Sequence, residues 1–462
     1  MQWLSGLDAS FLYLETPTQP LHVCSILELD ASTMPGGYDF RRLRDELALR
    51  ITAMPQFREK LADSPLNLDH PVWVEDRDFD IDHHLHRIGL PAPGGRVELS
   101  EICGHIASLP LDRSRPLWEM WVIEGLRGED GTGGRLAVMT KMHHAGMDGV
   151  TGANLMSQLC SPQADAPPPD PVEGCGDASE LEIVAGGLAR FVSRPLHLVQ
   201  VLPRTVSSVL NTVQRARAGS AMARPFTAPP TVFNAAITGH RNIAYVQLDL
   251  DGIKKVKDHF NVKVNDVVMA LVAGVLRKFL ADRGELPDTS LVAQVPVSVH
   301  GKSDRPGRNQ VSGLFSKLET QIADPAARLE AIAEANAVAK EHSSAIGATL
   351  LQDWSQFAAP AVFGLAMRMF ASSSLTASRP VHNLVVSNVP GPQEPLYFLG
   401  GEVKAMYPLG PLFHGCGLNV TVLSLNGKLN VGLISCPELL PDLWDLADDF
   451  AVGMEELLGS IR

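Results

Sequence analysis

Arg135-Leu-Ala-Val-Met-Thr-Lys-Met142, followed directly by His143-His144-Ala145-Gly146-Met147-Asp148-Gly149, decides how this chain is read. A mostly apolar run of strand length ends in two imidazoles, and a carboxylate and a glycine follow before Val150 to Met156 opens a helical pattern. Chemistry concentrates where rigid elements end in loops. Histidine is the side chain suited to take a proton near neutral pH. Successive residues of a strand point to opposite sides, so one of His143 and His144 can face a cleft while its neighbour turns away.

Outward from this stretch, strands and helices alternate. Strands are predicted at His22 to Leu29, Pro71 to Glu75, Leu117 to Leu126 and Arg135 to Met142, with helices at Asp39 to Ala53 and Val97 to Leu109. Further on, helices are predicted at Asp251 to Phe260, Asn265 to Asp282, Pro325 to His342 and Pro441 to Leu458. They alternate with strands at Leu291 to Val299, Gln310 to Leu318, Val381 to Val389 and Gly401 to Pro408. Cys416 to Leu425 and Lys428 to Cys436 flank Asn426-Gly427, a dipeptide that accepts the positive φ of a tight hairpin turn. The fold class is α/β, with mixed sheets flanked by helices in two halves. Pro162 to Glu182 is rich in Pro, Asp and Gly and reads as a flexible connector. The expected organisation is an N-terminal half at 1–161, the linker at 162–182, an Arg-rich amphipathic segment at 183–230 and a C-terminal half at 231–462.

A length of 462 residues exceeds what one compact core usually holds, which agrees with two halves. A net charge of −13 argues against a nucleic-acid partner, because phosphate binding needs a basic surface. The first basic residue is Arg41, and a secretory signal needs positive charge before its apolar run, so the chain is expected to stay in the cytoplasm. Cys24, Cys103, Cys160, Cys175, Cys416 and Cys436 lack CxxC spacing and read as free packing thiols.

Two stretches suit an apolar surface. Ile183 to Arg224 carries Arg190, Arg194, Arg204, Arg215, Arg217 and Arg224 and no acid, among apolar residues at roughly helical spacing. This fits a helix lying on an anionic lipid surface, and equally a helix packed on its own domain. Phe357 to Phe370 is apolar, carries Arg368 and is too short to span a bilayer; lining a lipid tunnel or touching a membrane are its readings.

A histidine with an aspartate four residues on suits a metal site, a nucleophile's base or a free general base. No G-x-S-x-G elbow is present and no third zinc ligand lies nearby, so general-base activation of a substrate hydroxyl is the simplest reading, with no metal and no resident cofactor. A pair of hydrogen-bonded core histidines is the structural alternative. Asp82-His83-His84-Leu85-His86 is also histidine-rich, but no Asp-Gly follows, and a surface or structural role is expected there.

HHAGMDG resembles the HHxxxDG signature of the wax ester synthase and bacterial diacylglycerol acyltransferase family, relatives of the chloramphenicol acetyltransferase and peptide-synthetase condensation fold. The resemblance runs along nearly the whole chain. Leu4 to Val23 is similar to the family's opening, Pro116-Leu117-Trp118 to its PLW element, Asn265-Asp266 to its ND element and Asn388-Val389-Pro390-Gly391-Pro392 to its NVPGP element. It implies two chloramphenicol-acetyltransferase-like halves with the active site at their interface, and transfer of a fatty acyl group from acyl-CoA to a hydroxyl of diacylglycerol or a long-chain alcohol. His144 is then the general base, His143 its support, and Asp148 with Gly149 shapes the turn. A lipid acceptor implies peripheral contact with a membrane or lipid droplet.

The remaining motif residues carry alternatives. Pro116, Leu117 and Trp118 begin a strand with both faces buried, so packing stands beside acyl-chain contact. Asn265 sits where a helix would be capped and Asp266 in its first turn, so capping stands beside substrate contact. Asn388 is placed to donate its amide to the oxyanion or substrate, or its segment fixes a loop. The chain departs from the family at Val295-Pro296-Val297-Ser298-Val299, where His300 stands in place of an arginine that commonly pairs with the motif aspartate. That leaves His300, Arg305 and Arg308 as candidate partners of Asp148.

Overall fold

The computed structural model describes residues 1–64, 69–128, 134–146, 159–174, 176, 179, 181–190, 192, 227–298, 311–346 and 380–461. Its strands are β1 (Gln2–Trp3), β2 (His22–Asp30), β3 (Glu59–Ala62), β4 (Val72–Glu75), β5 (Leu85–Gly89), β6 (Trp118–Leu126), β7 (Arg135–His143), β8 (Cys160–Ser161), β9 (Asn242–Asp249), β10 (Val292–Ser298), β11 (Val311–Lys317), β12 (Leu384–Pro390), β13 (Tyr397–Phe398), β14 (Gly401–Leu409), β15 (Leu418–Leu425) and β16 (Lys428–Ser435). They form a seven-stranded sheet in the order β5-β6-β7-β2-β14-β13-β8, a six-stranded sheet in the order β11-β10-β12-β15-β16-β9, and a small sheet β1-β4-β3. Both large sheets are mixed, since β5 runs parallel to β6 and β12 parallel to β10 and β15, while the other pairings are antiparallel. The α/β class read from the sequence is the architecture found.

The strand that ends in the histidine pair is central. β7 lies between β6 and β2 and is buried along nearly its whole length, as a strand covered on both faces must be. Even Lys141 is fully buried there; its Nζ is 2.8 Å from the Glu119 carboxylate and donates to the carbonyls of Ile106 and Leu109. A buried ammonium is tolerated only when paired in this way.

Helices cover the sheets where their apolar spacing allows. Phe40–Ile51, capped by the Asp39 side chain on Arg42 N–H, buries Leu43, Leu47 and Ile51 at four-residue spacing against the core that holds Phe57, Trp118 and Met120. Val264–Asp282 is apolar on nearly every side and sits inside the C-terminal core, with Leu250–Phe260, Pro325–Ile346 and Leu443–Gly459 around it. The predicted hairpin forms as β15 and β16, with positive φ at Asn426 and Gly427.

The two halves are interlaced rather than merely adjoining. β13 and β14, which follow residue 231, complete the seven-stranded sheet through pairing of β14 with β2. That strand then presses on the six-stranded sheet: a Cβ at Gly432 would lie 2.0 Å from the Pro408 carbonyl, so only glycine permits the approach. Residues 162–174 have no helix or strand and are tied down on the N-terminal half. Arg50 donates to Ala166 O, Arg58 to Val172 O, and Val172 N–H to Thr52 O.

Residues 181–190 are helical. Ile183 packs on Val72 and Val74, and Gly186 lies so close to the Trp3 ring that a Cβ would meet it at 2.8 Å. The remainder of the Arg-rich segment from 193 to 224, and all of Phe357 to Phe370, lie outside the described residues. No helix among the described residues is long and apolar enough to cross a membrane.

Candidate active site

β7 delivers the histidine pair to the seam between the halves. His143 is its last residue and pairs with His22 of β2; the His144 N–H then donates to Leu21 O at 2.8 Å, and Gly146 N–H returns to His143 O at 2.9 Å to close a turn. The two imidazoles part as the strand geometry requires. His143 is buried, whereas half-buried His144 lines a cavity of about 660 Å³.

That cavity is walled by both halves. Val23, Thr140 and Met142 come from β2 and β7, while Val297, Val385 and Leu423 come from β10, β12 and β15. An apolar wall with a few polar groups is the usual form of a site for a hydrophobic ligand. Asn265, Asp266 and Asn388 also line it, so these sequence candidates converge with His144. Asp266 caps its helix: its Oδ2 accepts the Lys263 N–H at 2.9 Å and its Oδ1 the Asn336 amide at 2.8 Å. The cap itself is Lys263, two residues before the Asn265 suggested by the sequence, because the Asp266 carboxylate reaches back three residues to accept the Lys263 N–H.

Pro116, Leu117 and Trp118 are not part of the cavity wall. Leu117 packs with Leu4, Leu12 and Trp73, and its carbonyl accepts the His143 N–H at 3.0 Å. Trp118 is buried, donates its indole N–H to Phe57 O at 2.8 Å and stacks on His84 at 4.6 Å. Of the two readings of this motif, packing is the one these contacts support, since the Trp118 ring is buried in the core. His84, with Nδ1 2.8 Å from Trp118 O, belongs to the same core. Among the described residues no group of three or more His, Cys, Asp or Glu side chains is placed to hold a metal. Asp148, Gly149, His300, Arg305 and Arg308 lie outside the described residues.

Sequence reasoning missed the support under the histidines. The ring of Phe11, on the helix Gly6–Leu14, lies on the His144 ring with centroids 4.0 Å apart and planes 13° from parallel. Glu15, four residues on, sits 3.4 Å from Nε2 of both His143 and His22 and is also bound by Arg113. Burial alone would raise the Glu15 carboxyl, but its contacts with His143, His22 and Arg113 outweigh burial and hold it well below the usual carboxylate range.

The comparisons with known proteins now bear on this geometry. The model of the wax ester synthase/diacylglycerol acyltransferase catalytic domain matches residues 4–268, and that of the C-terminal domain matches residues 308–458. The chain belongs to this family. A Mycobacterium tuberculosis (strain CDC 1551 / Oshkosh) protein, provisionally named a diacylglycerol O-acyltransferase, is 59% identical over 458 residues, covering 99% of this chain and 90% of the relative. Another from the same strain with the same provisional name is 36% identical over 464 residues, covering 98% and 99%. Among solved structures, the wax ester synthase/diacylglycerol acyltransferase from Marinobacter aquaeolei VT8 matches with a TM-score of 0.71 at 29% identity, covering 99% of this chain and 98% of that one. The first condensation domain of the CDA synthetase, at 17% identity and a TM-score of 0.60 over 99% and 96% of the two chains, shares the fold. This member of the wax ester synthase/diacylglycerol acyltransferase family is thus an acyltransferase of chloramphenicol-acetyltransferase-like, two-subdomain architecture.

Proposed function

We propose that this acyltransferase moves a fatty acyl group from acyl-CoA to the free hydroxyl of diacylglycerol, forming triacylglycerol, with His144 as general base and no resident cofactor. The observation that carries this reading is the position of His144 on an apolar cavity walled by both halves. The imidazole takes the hydroxyl proton as the oxygen attacks the thioester carbonyl; the new C–O bond forms, the C–S bond breaks, and the departing thiolate recovers the proton from the imidazolium. Holding both reactants in one cavity replaces a bimolecular encounter.

Direct attack, without an acyl-enzyme, is supported by the state of Cys24 and the position of Ser25 on the wall. Burial pushes the Cys24 thiol up to about 12, so it is not a thiolate near neutral pH. Ser25 pairs with Thr140, three positions before His143, which is about 10 Å along a strand and beyond proton-transfer reach of the base. Asn388 and the Asn265-Asp266 pair are proposed as substrate contacts, Asn388 as the amide facing the oxyanion.

Peripheral contact with a lipid surface is supported by the helix at 181–190. Leu181, Val184, Leu188 and Val192 recur on one side of it and are 81%, 39%, 51% and 68% exposed. Arg190, expected to meet anionic lipid, instead lies over the Trp3 ring at 5.1 Å and 3.9 Å from Asp69. The apolar face, not that arginine, is the proposed contact.

The test is labelled acyl-CoA offered with diacylglycerol, hexadecanol or no acceptor. Labelled triacylglycerol as the main product supports the reading. Wax ester alone would replace the acceptor by a linear alcohol, and label retained on protein without acceptor would refute direct attack.

A further inference from the structure

The segment Gly6–Glu15 reaches both histidines. Phe11 and Glu15 are four residues apart, one helical turn, so their side chains leave the same face toward the end of β7. Phe11 covers one face of the His144 ring. Glu15 meets His143 with Oε2 and His22 with Oε1.

The contacts form two closed circuits around the turn. In the first, Nδ1 of His143 accepts the Ala145 N–H at 3.0 Å, so it carries no proton there. The ring proton is then on Nε2, the atom 3.4 Å from the Glu15 carboxylate. In the second, the Leu21 backbone joins Glu15 to His144: its N–H points at Oε1 of Glu15 at 3.4 Å and its carbonyl accepts the His144 N–H at 2.8 Å. Arg113, which also donates to Leu12 O at 3.1 Å, balances the charge. A buried carboxylate without such partners would tend to lose its charge by taking up a proton.

We propose that Phe11 and Glu15 are positioning residues of the acyl-transfer turn: Glu15 fixes the tautomer and orientation of His143, and Phe11 fixes the ring plane of His144. This rests on the assignment of His144 as base. Neither residue exchanges a proton with substrate. Their action is geometric, and a displacement of about 1 Å at a reacting group costs on the order of 10²-fold in rate. The contacts with His143, His22 and Arg113 together keep Glu15 ionised, so the tautomer of His143 does not vary as acyl-CoA and acceptor come and go.

The test uses the full-length enzyme with labelled acyl-CoA and diacylglycerol, and compares Glu15→Gln, Glu15→Asp, Phe11→Leu and Phe11→Tyr with His144→Ala as reference. Glu15→Gln is expected to lower kcat about 10²-fold with KM nearly unchanged, the pattern of lost transition-state geometry, and Glu15→Asp to recover part of it. Phe11→Leu is expected to lower kcat about 10-fold while Phe11→Tyr, which keeps the ring, stays near wild type. Wild-type kcat in both Glu15→Gln and Phe11→Leu overturns the proposal. Should Glu15→Gln fail to fold, the ¹⁵N shifts of His143 in the unaltered protein still decide: a proton on Nε2 supports the proposal and one on Nδ1 refutes it. If His144→Ala kept wild-type turnover, the base assignment would fail on its own, and the His143 tautomer would still judge the role of Glu15.

Discussion

His22 and His143 face one another across the β2–β7 ladder with ring centroids 6.0 Å apart, and both turn an Nε2 toward the carboxylate of Glu15. A buried cluster of this kind makes stability depend on pH. Burial lowers His22 to about 4 from 6.5, with the Glu15 contact only partly opposing it. Above pH 6.5 neither the folded nor the unfolded chain protonates this ring, and its full contribution is present. As pH falls from 6.5 toward 4 the unfolded chain takes a proton that the folded one refuses, so stability drops, by about 3 kcal/mol for such a shift. His382, whose ring nitrogens have no hydrogen-bond partner among the described residues, is lowered to about 4 by burial and adds in the same direction. Glu15, held low, adds a further loss only below the ordinary carboxylate range. Thermal unfolding from pH 7 to pH 4.5 is expected to show a steadily falling Tm, and His382→Leu a shallower slope. Parallel curves for the two proteins would refute the role of His382.

Trp118 supplies a second test. Buried, hydrogen-bonded to Phe57 O and stacked on His84, it is a core residue that holds up β6 beside β7. Trp118→Ala is expected to cost about 3–5 kcal/mol in denaturant unfolding. KM for acyl-CoA, measured at a temperature where the variant is folded, should stay unchanged. A raised KM without loss of stability would return this residue to the substrate site.

The cavity wall sets chain-length preference if the ligand is a fatty acyl group. Val297 lines it from β10 and is half-buried, so a larger side chain there projects into the space. Val297→Phe is expected to lower kcat/KM about 10-fold or more for long acyl-CoA while sparing short ones, since each misfit methylene costs on the order of 1–3 kcal/mol. Equal losses across a series of chain lengths would place the acyl group elsewhere.

The exposed face of the helix at 181–190 gives a prediction independent of turnover. Leu188→Glu with Val192→Glu removes two of its four apolar side chains. Cosedimentation with phosphatidylglycerol vesicles is expected to fall by at least about 10-fold, because each apolar side chain buried in the interface contributes roughly 1.5–3 kcal/mol. Unchanged cosedimentation would exclude this face as the contact.

The sequence carried much of this. β7 was legible because a strand covered on both sides is a continuous apolar run, and the hairpin because Asn426-Gly427 accepts positive φ. The helices from Phe40–Ile51 onward were legible from their spacing, to within a few residues at each end, whereas Gly6–Leu14 was not read as a helix. Interlacing of the halves was not, since nothing local in Gly401–Leu409 says that its partner is β2, almost four hundred residues earlier in the chain. At the site, His144 stood out by residue type, and its convergence with Asn265, Asp266 and Asn388 followed from ordered motifs. Glu15 and Phe11 did not stand out, because a lone acid and a lone aromatic acquire meaning only from what lies across from them in space. His22 was hidden likewise, as a strand residue whose partner is fixed by register.

The most direct test of the account is single-turnover acyl transfer from labelled acyl-CoA to diacylglycerol by His144→Ala, with circular dichroism to confirm its fold. If His144 is the general base, the rate falls by about 10² to 10⁴ with the fold intact. Transfer at the wild-type rate by a folded His144→Ala protein would contradict it.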